Sequence, residues 1–527
     1  MKFDILLKNG RIIDGSGKPS YIADLAISKG RIVGIEPSIP EENADEVINV
    51  EGLCVAPGFI DIHSHSDLTF FMNDSGAAKL YQGVTSELSG QCGSTAYPCL
   101  PEHKNWMDKY GMTPRGIMTA CSLEEFCRGV EKRHDRMGTN QLPLIGHGAL
   151  RCGVMHYDNR DPEPCEMEAM ENLLRRDMEY GAWGLSLGLG YTPGLSSHQE
   201  ELSRLGAVVA PFGGIVTSHM RQQGYDTPKS LEEMYNINRF SGVHVHIAHF
   251  KASGKAAWGR SQEFVDNYHA AQKSGINVTA DVYPYTASSS GITNSFPKWT
   301  IQGGTHHAVE ILQGPEREKL MSFLREKYSD EESCSALLVA DTRGLHPDAD
   351  GCTIWEISKM WNMDPADVVA KLCIDSDART SCISFGMSDS DVEVFLRQDD
   401  ICIGSDGRAF PLDPKLNNGK PHPRNFGTFP RFLKMAREKK FCSPEIAIRR
   451  ITGQSADYIG ITDRGYLKTG LVADITVLDM DKVADTATYK DPFQKPVGII
   501  HVIMDGRFAV RNGEQTEERL GKILLRD

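Results

Sequence analysis

His63 and His65, in the run Gly58-Phe59-Ile60-Asp61-Ile62-His63-Ser64-His65-Ser66-Asp67, stand two residues apart. An extended strand sends residues i and i+2 to the same face, so both imidazoles can converge on one ion. Far along the chain lie four further residues able to hold a metal or serve one: Cys92, His219, His249 and Asp406. Three histidines, or two with a thiolate, that leave one coordination position for water make up the ligand set of a catalytic zinc. A carboxylate beside such a water suits general base work, because bound water ionises near neutral pH. The chemistry indicated is metal-assisted hydrolysis, and residues so dispersed require a fold that gathers them.

The stretch 53–62 is apolar with little polar alternation, the pattern of a strand buried on both faces. It places the two histidines at the strand's C-terminal mouth. Beyond it, apolar strand-like segments alternate with polar, helix-like ones, the βα rhythm of a parallel sheet or barrel. Eight segments qualify: 55–63, 84–89, 142–146, 184–189, 214–218, 243–248, 276–282 and 401–404. Several end in a reactive residue at the same relative place: His63 and His65, Cys92 just past the second, His219, His249, Asp281 or Tyr283, and Asp406. In a (β/α)8 barrel all strand C-termini share the face that carries the active site. The fold class expected is therefore α/β, a TIM-like (β/α)8 barrel. His244 and His246 fall inside the sixth segment and are not counted as ligands.

The chain ends read differently. Short strands broken by turns are expected at 4–8, 11–14, 21–28 and 31–36, and again at 474–478, 498–504 and 507–511. Two half-sandwiches at opposite ends can pair into one small β-sandwich domain, since termini commonly lie close in space. The expected division is 1–56 and 455–527 for the sandwich and 57–454 for the barrel. An inserted lid or subdomain is expected at about 288–350, where Pro297, Trp299, Gly303-Gly304 and a helical stretch at 315–328 separate the seventh and eighth strands.

The 527 residues, 40% hydrophobic and 24% charged, are ordinary for a globular protein with a large core. A balance of 57 basic to 71 acidic residues, net −14, argues against nucleic acid or an anionic membrane as partner. No apolar run is long enough to span a bilayer, and Asp4 interrupts the apolar N-terminal stretch, so no signal-peptide core is read there. Thirteen cysteines, odd in number and irregularly spaced, make a disulfide framework improbable and a reducing cytoplasm the natural setting.

Longer motifs narrow the reading. They are Ala56-Pro57-Gly58-Phe59-Ile60-Asp61-Ile62-His63-Ser64-His65, Gly90-Gln91-Cys92-Gly93, Gly190-Tyr191-Thr192-Pro193-Gly194, His249-Phe250-Lys251-Ala252-Ser253-Gly254, Ser405-Asp406-Gly407 and His422-Pro423-Arg424-Asn425-Phe426-Gly427. With them the chain resembles, over nearly its whole length, the amidohydrolase superfamily and within it the N-acyl-D-amino-acid deacylases. The fourth-strand region 181–191 contains no lysine, unlike binuclear dihydroorotases and hydantoinases, whose carboxylated lysine bridges two metals. The resemblance implies that Cys92 substitutes for it. It also implies a tight zinc on Cys92, His219 and His249, and a second site at His63 and His65 that is weak or empty. A thiolate with two imidazoles supplies charge and softness that two imidazoles alone do not.

By the same resemblance Asp406 is the proton shuttle, base toward water and acid toward the departing amine. Arg424 grips the substrate carboxylate bidentately, Lys251 and Tyr283 add single contacts, and Tyr191 and Ser288 complete the substrate-binding set. His147 and Arg151, near the third strand's mouth, receive no role. The expected reaction is zinc-dependent hydrolysis of an N-acyl-D-amino acid to a carboxylate and a free D-amino acid, with a small-molecule substrate as partner and the oligomeric state left open. A cyclic-amide or dipeptide hydrolase is the alternative within the superfamily, and a metal-free scaffold the alternative outside catalysis. For the substrate side chain, Phe296, Trp299 and several methionines put an apolar or broad preference slightly ahead of an acidic one set by Lys298.

Overall fold

The structure, a computed structural model, describes residues 2–71, 73–111, 119–133 and 136–527. Its centre is an eight-stranded sheet whose strands follow one another in chain order. They are Phe59–Ser64, Val84–Ser89, Asn140–Gly146, Gly184–Gly188, Ile215–His219, His244–Ile247, Val278–Val282 and Ile401–Ile403, each parallel to the next. Every residue of the first four is buried, as expected of strands covered on both faces. The first and eighth strands meet beyond the last ladder through Asp406 N to His63 O and His65 N to Gly407 O, both 2.8 Å, which closes the barrel. Helices such as Gln199–Val209 and Thr227–Ser241 lie outside and bury apolar stripes at three-to-four spacing, Leu202, Leu205 and Val209 on one, Leu231, Met234 and Ile237 on the other.

One expected strand divides. Segment 55–63 is two strands, Cys54–Pro57 and Phe59–Ser64, joined at Gly58. The amide of Gly58 bonds to Asp474 O and that of Phe59 to Gly83 O, so the chain changes partners at this residue. A Cβ on Gly58 would stand 2.4 Å from Thr85 Oγ1, which leaves glycine as the residue that fits. Conversely, 4–8 and 11–14 are one strand, Phe3–Ile12, with a bulge between Leu7 and Gly10 where Asn9 takes φ 59°.

Both chain ends build a single nine-stranded sheet, in which Cys54–Pro57 pairs with Phe3–Ile12 on one side and Ile475–Leu478 on the other. Bonds from Ile32 N to Leu471 O and Gly470 N to Ile32 O bring its far edge back. The sheet thus folds over a core of Ile5, Leu7, Leu25, Ile27, Ile475 and Ile503, a β-sandwich built from both ends.

Between the seventh and eighth barrel strands an inserted subdomain has its own core, with Leu320, Leu324, Ile354, Ile357, Val369 and Leu372 among its members. It carries a three-stranded antiparallel sheet of Ala287–Gly291, Ser381–Phe385 and Leu337–Asp341. Thr192 Oγ1, in the loop after the fourth strand, donates to Ile301 O at 2.7 Å, and Gly304 packs against the Tyr157 ring. These contacts set the insertion against the barrel's C-terminal mouth. All thirteen cysteines are free, and no helix among the described residues is long and apolar enough to cross a membrane.

Candidate active site

Cys92, His249 and Asp406 each follow a barrel strand and each takes a left-handed backbone conformation, with φ of 56°, 39° and 50°. Non-glycine residues are strained there and persist only where the surroundings hold them, which happens most often at functional sites. The consequence is convergence. Cys92 Sγ lies 3.5 Å from both His63 Nε2 and His249 Nε2, and His219 Nδ1 lies 2.9 Å from His249 Nε2. His65 Nε2 stands 3.0 Å and His63 Nε2 3.5 Å from Asp406 Oδ1. Two donor groups result, Cys92 with His219 and His249, and His63 with His65, Cys92 and Asp406; within each, one ligand atom per residue lies within 4.8 Å of the others. Cys92 belongs to both.

The groups behind the imidazoles decide which nitrogen faces the cluster. Asp281 Oδ2 is 3.2 Å from His63 Nδ1 and 3.0 Å from His246 Nε2, and its Oδ1 accepts from the His249 amide. The Gln223 side-chain amide is 3.0 Å from His249 Nδ1. The contacts on Nδ1 leave Nε2 of His63 and of His249 for the centre, the usual arrangement behind metal-ligating histidines. Glycine at 404 makes this possible, since a Cβ there would meet His63 Cβ at 2.6 Å and Asp281 Oδ1 at 2.8 Å.

Burial works to raise the Cys92 thiol pKa, yet His63, His249 and His219 hold it well below its ordinary value. Burial, with Lys251 nearby, pushes His249 down to about 3, and burial lowers His219 as well. The first donor group is therefore a thiolate with two neutral imidazoles, the donor chemistry zinc takes. Ligand atoms on a tetrahedral zinc stand roughly 3.3–3.6 Å apart, which the 3.5 Å between Cys92 Sγ and His249 Nε2 matches, while the 2.9 Å between His219 Nδ1 and His249 Nε2 is closer. Asp406 is also buried, which alone would raise its pKa, but Arg424 and His65 keep its carboxyl well below the usual range. Arg424 Nη1 lies 2.7 Å from Asp406 Oδ2 without a well-aligned hydrogen bond.

Lys251 Nζ donates to Tyr283 OH at 3.1 Å, and the Arg424 guanidinium sits 5.0 Å from the Tyr283 ring centre. The Tyr191 ring packs on His219 at 4.4 Å. Ser288 is half-buried on the insertion strand Ala287–Gly291, opposite Ser384; among the described residues no hydrogen bond joins its side chain to the cluster. At the seventh strand both open possibilities have a place, Asp281 behind the histidines and Tyr283 beside Lys251. His244 and His246 bond to Thr279 at 2.8 and 2.7 Å, so neither faces the centre. His147 and Arg151 are buried on Glu201. Gln223 and the buried Lys79 below the cluster carry no spacing signal and escape a reading by motif.

Residues 46–299 match the family model described as "Amidohydrolase family". An N-acyl-D-glutamate deacylase of Alcaligenes xylosoxydans xylosoxydans is 31% identical over 100% of this chain and 97% of its own length. The chain belongs to the N-acyl-D-amino-acid deacylase family of amidohydrolases. Among solved structures, this deacylase-family chain is similar to the N-acyl-D-glutamate deacylase from Bordetella bronchiseptica, complexed with zinc and a phosphonate mimic of the tetrahedral intermediate. That likeness has a TM-score of 0.83 and 29% identity, and covers 100% of both chains. It is similar also to a D-aminoacylase whose binuclear metal center is described by one-metal activation and second-metal attenuation, with a TM-score of 0.81 and 28% identity over 99% of this chain and 100% of that one.

Proposed function

We propose that this protein hydrolyses N-acyl-D-amino acids to a carboxylate and the free D-amino acid. The observation that carries the reading is the pair of donor groups sharing Cys92, with Asp406 against one of them and Arg424, Lys251 and Tyr283 alongside. Cys92, His219 and His249 would hold a tight zinc, and His63 and His65 a second, weaker metal. When bound, zinc supplies a Lewis acid for the scissile carbonyl and lowers the pKa of water.

The chain's own residues do the rest. Asp406, held as a carboxylate, takes a proton from the attacking water and returns it to the leaving nitrogen. Arg424 spends one nitrogen on Asp406 and keeps other donors for the substrate's α-carboxylate, beside Lys251 Nζ and Tyr283 OH. Tyr191 and Ser288 complete the binding set. Amide, carboxylate and side chain each need their own wall, so exchanging enantiomers misplaces one of the three. Free cysteines and net charge support a reducing cytoplasm as its setting. The test is amine release from matched N-acetyl-D- and N-acetyl-L-Met, Leu, Phe and Glu, with and without zinc. D-selective, zinc-dependent release is expected, and equal turnover of both enantiomers would sink the reading.

For the side chain we infer an acidic preference in place of the apolar one expected from the sequence. Phe296 is buried in the insertion's own core, and Trp299 packs on that core under Lys319, 3.9 Å from its ring centre. Phe296 is thereby taken up by the insertion's core, and one face of Trp299 by Lys319. Lys298 between them is exposed, and its amine is held below its ordinary pKa by partial burial and by Arg221. Arg221 in turn bonds to Leu195 O and Ser197 O in the loop that follows Tyr191. Lys298→Met should lower kcat/KM for N-acetyl-D-Glu relative to N-acetyl-D-Met by about tenfold, as expected for one lost charged contact. An unchanged ratio would return the preference to apolar.

A further inference from the structure

Lys79, Asp61 and Glu87 are fully buried beneath the site. Lys79, on the short helix Ala77–Leu80, places Nζ 2.5 Å from Asp61 Oδ2, 3.2 Å from Glu87 Oε2 and 2.7 Å from Ser405 Oγ. A buried ammonium is costly unless charge and hydrogen bonds compensate it fully. Here they do, and every compensating group flanks a residue of the site. Asp61 accepts from the His63 amide at 3.2 Å, from the Ser405 amide at 2.9 Å and from Ser405 Oγ at 2.5 Å. Glu87 accepts from Ser64 Oγ and Ser66 Oγ, on either side of His65, at 2.5 and 2.6 Å. Ser405 Oγ accepts from the Gly407 amide at 3.0 Å, across Asp406.

This knot lies at the seam where the first and eighth strands close the barrel without a continuous ladder, and where Asp406 takes its strained backbone conformation. We propose that Lys79 is a positioning residue, whose ammonium ties the segment carrying His63 and His65 to the segment carrying Asp406 and so sets the distance between them. His219 and His249 stand on strands the knot does not touch; Cys92 follows the strand Val84–Ser89 that carries Glu87, but the ammonium's hydroxyl link runs to the Asp406 segment. A knot serving only stability would leave the two segments free to keep their relative geometry when one link is cut.

The inference rests on the deacylase reading for its kinetic measurement but not for its metal measurement. Two variants test it. Lys79→Met removes the ammonium; Ser405→Ala keeps all three charges and cuts the ammonium's link to the Asp406 segment together with that hydroxyl's own bonds to Asp61 and the Gly407 amide. In both, kcat should fall about 10–100-fold, the size of effect seen when groups behind a metal site are removed, with KM changed less than about threefold. In calorimetric titration of metal-stripped protein, the first zinc equivalent should bind as in the wild type and the second about tenfold or more weaker. Wild-type kcat and wild-type affinity for the second equivalent in Ser405→Ala would overturn the proposal, and this variant decides alone if Lys79→Met does not fold. If the wild type releases no amine, the deacylase reading fails while affinity for the second equivalent still judges Lys79.

Discussion

The Gln223 side-chain amide stands 3.0 Å from His249 Nδ1 and leaves the other ring nitrogen for the centre. Replacing it with leucine fills similar volume without the polar contact, so Gln223→Leu should weaken zinc affinity about 10–100-fold. Competition with a chelator measures this, and unchanged affinity would show that the loop backbone alone orients His249. The candidate ligands converge from positions the sequence marks by their place after strands: His63, His219 and His249 follow apolar runs, Cys92 sits just past one, and Asp406, the proposed proton shuttle, follows another. Their supports are not so marked. Gln223 lies in a loop beyond His219, and Lys79 sits on a four-residue helix; nothing in sequence spacing distinguishes them from solvated residues. Asp281 was legible as half of an alternative with Tyr283, and the alternation of side chains along a strand explains why both are used: residues two apart share a face, one behind the histidines and one toward Lys251.

Among elements, most of the eight barrel strands were legible because burial on both faces makes them largely apolar, although Val84–Ser89 carries the buried Glu87. Strand Ala44–Asn49 was not, since it alternates weakly at the sheet's margin and pairs only with Phe3–Ile12. A long-range contact adds to the join between sandwich and barrel made at Gly58. Arg11 Nη2, on strand Phe3–Ile12, bonds to Glu445 Oε1 at 3.0 Å, on helix Pro444–Arg450. Partial burial works to raise the Glu445 pKa, but amide bonding at its helix N-terminus, Ser20, Ser443 and Arg11 hold it at about 2. A carboxylate depressed in the folded state contributes stability above its unfolded pKa and loses it as pH falls toward the folded one. Glu445→Gln should therefore lower the urea midpoint at pH 7, with the gap from wild type narrowing progressively below about pH 4.5. A gap independent of pH would assign the effect to packing.

At the scale of the whole molecule, the barrel is clasped from below while its mouth is covered from above. The chain's last residues run under the third and fourth strands, with Leu524 N on Gln141 O, Trp183 Nε1 on Leu524 O and Arg526 N on Gly181 O. No sequence pattern announces that path, which depends on contacts more than 300 residues apart. The insertion meets the opposite face through Thr192 and Tyr157; at that mouth Lys251 and Arg424 both lie over the Tyr283 ring, at 5.3 and 5.0 Å, on a chain of net charge −14. Such a local field suits a small anion more than a polyanion. The central claim is that one zinc, on Cys92, His219 and His249, suffices for hydrolysis. Zinc should be titrated into metal-stripped protein while amine release from an N-acetyl-D-amino acid is followed. Activity should reach its maximum at one equivalent per chain in the wild type and stay absent throughout in Cys92→Ala; a maximum that requires two equivalents, or full activity in Cys92→Ala, would contradict the claim.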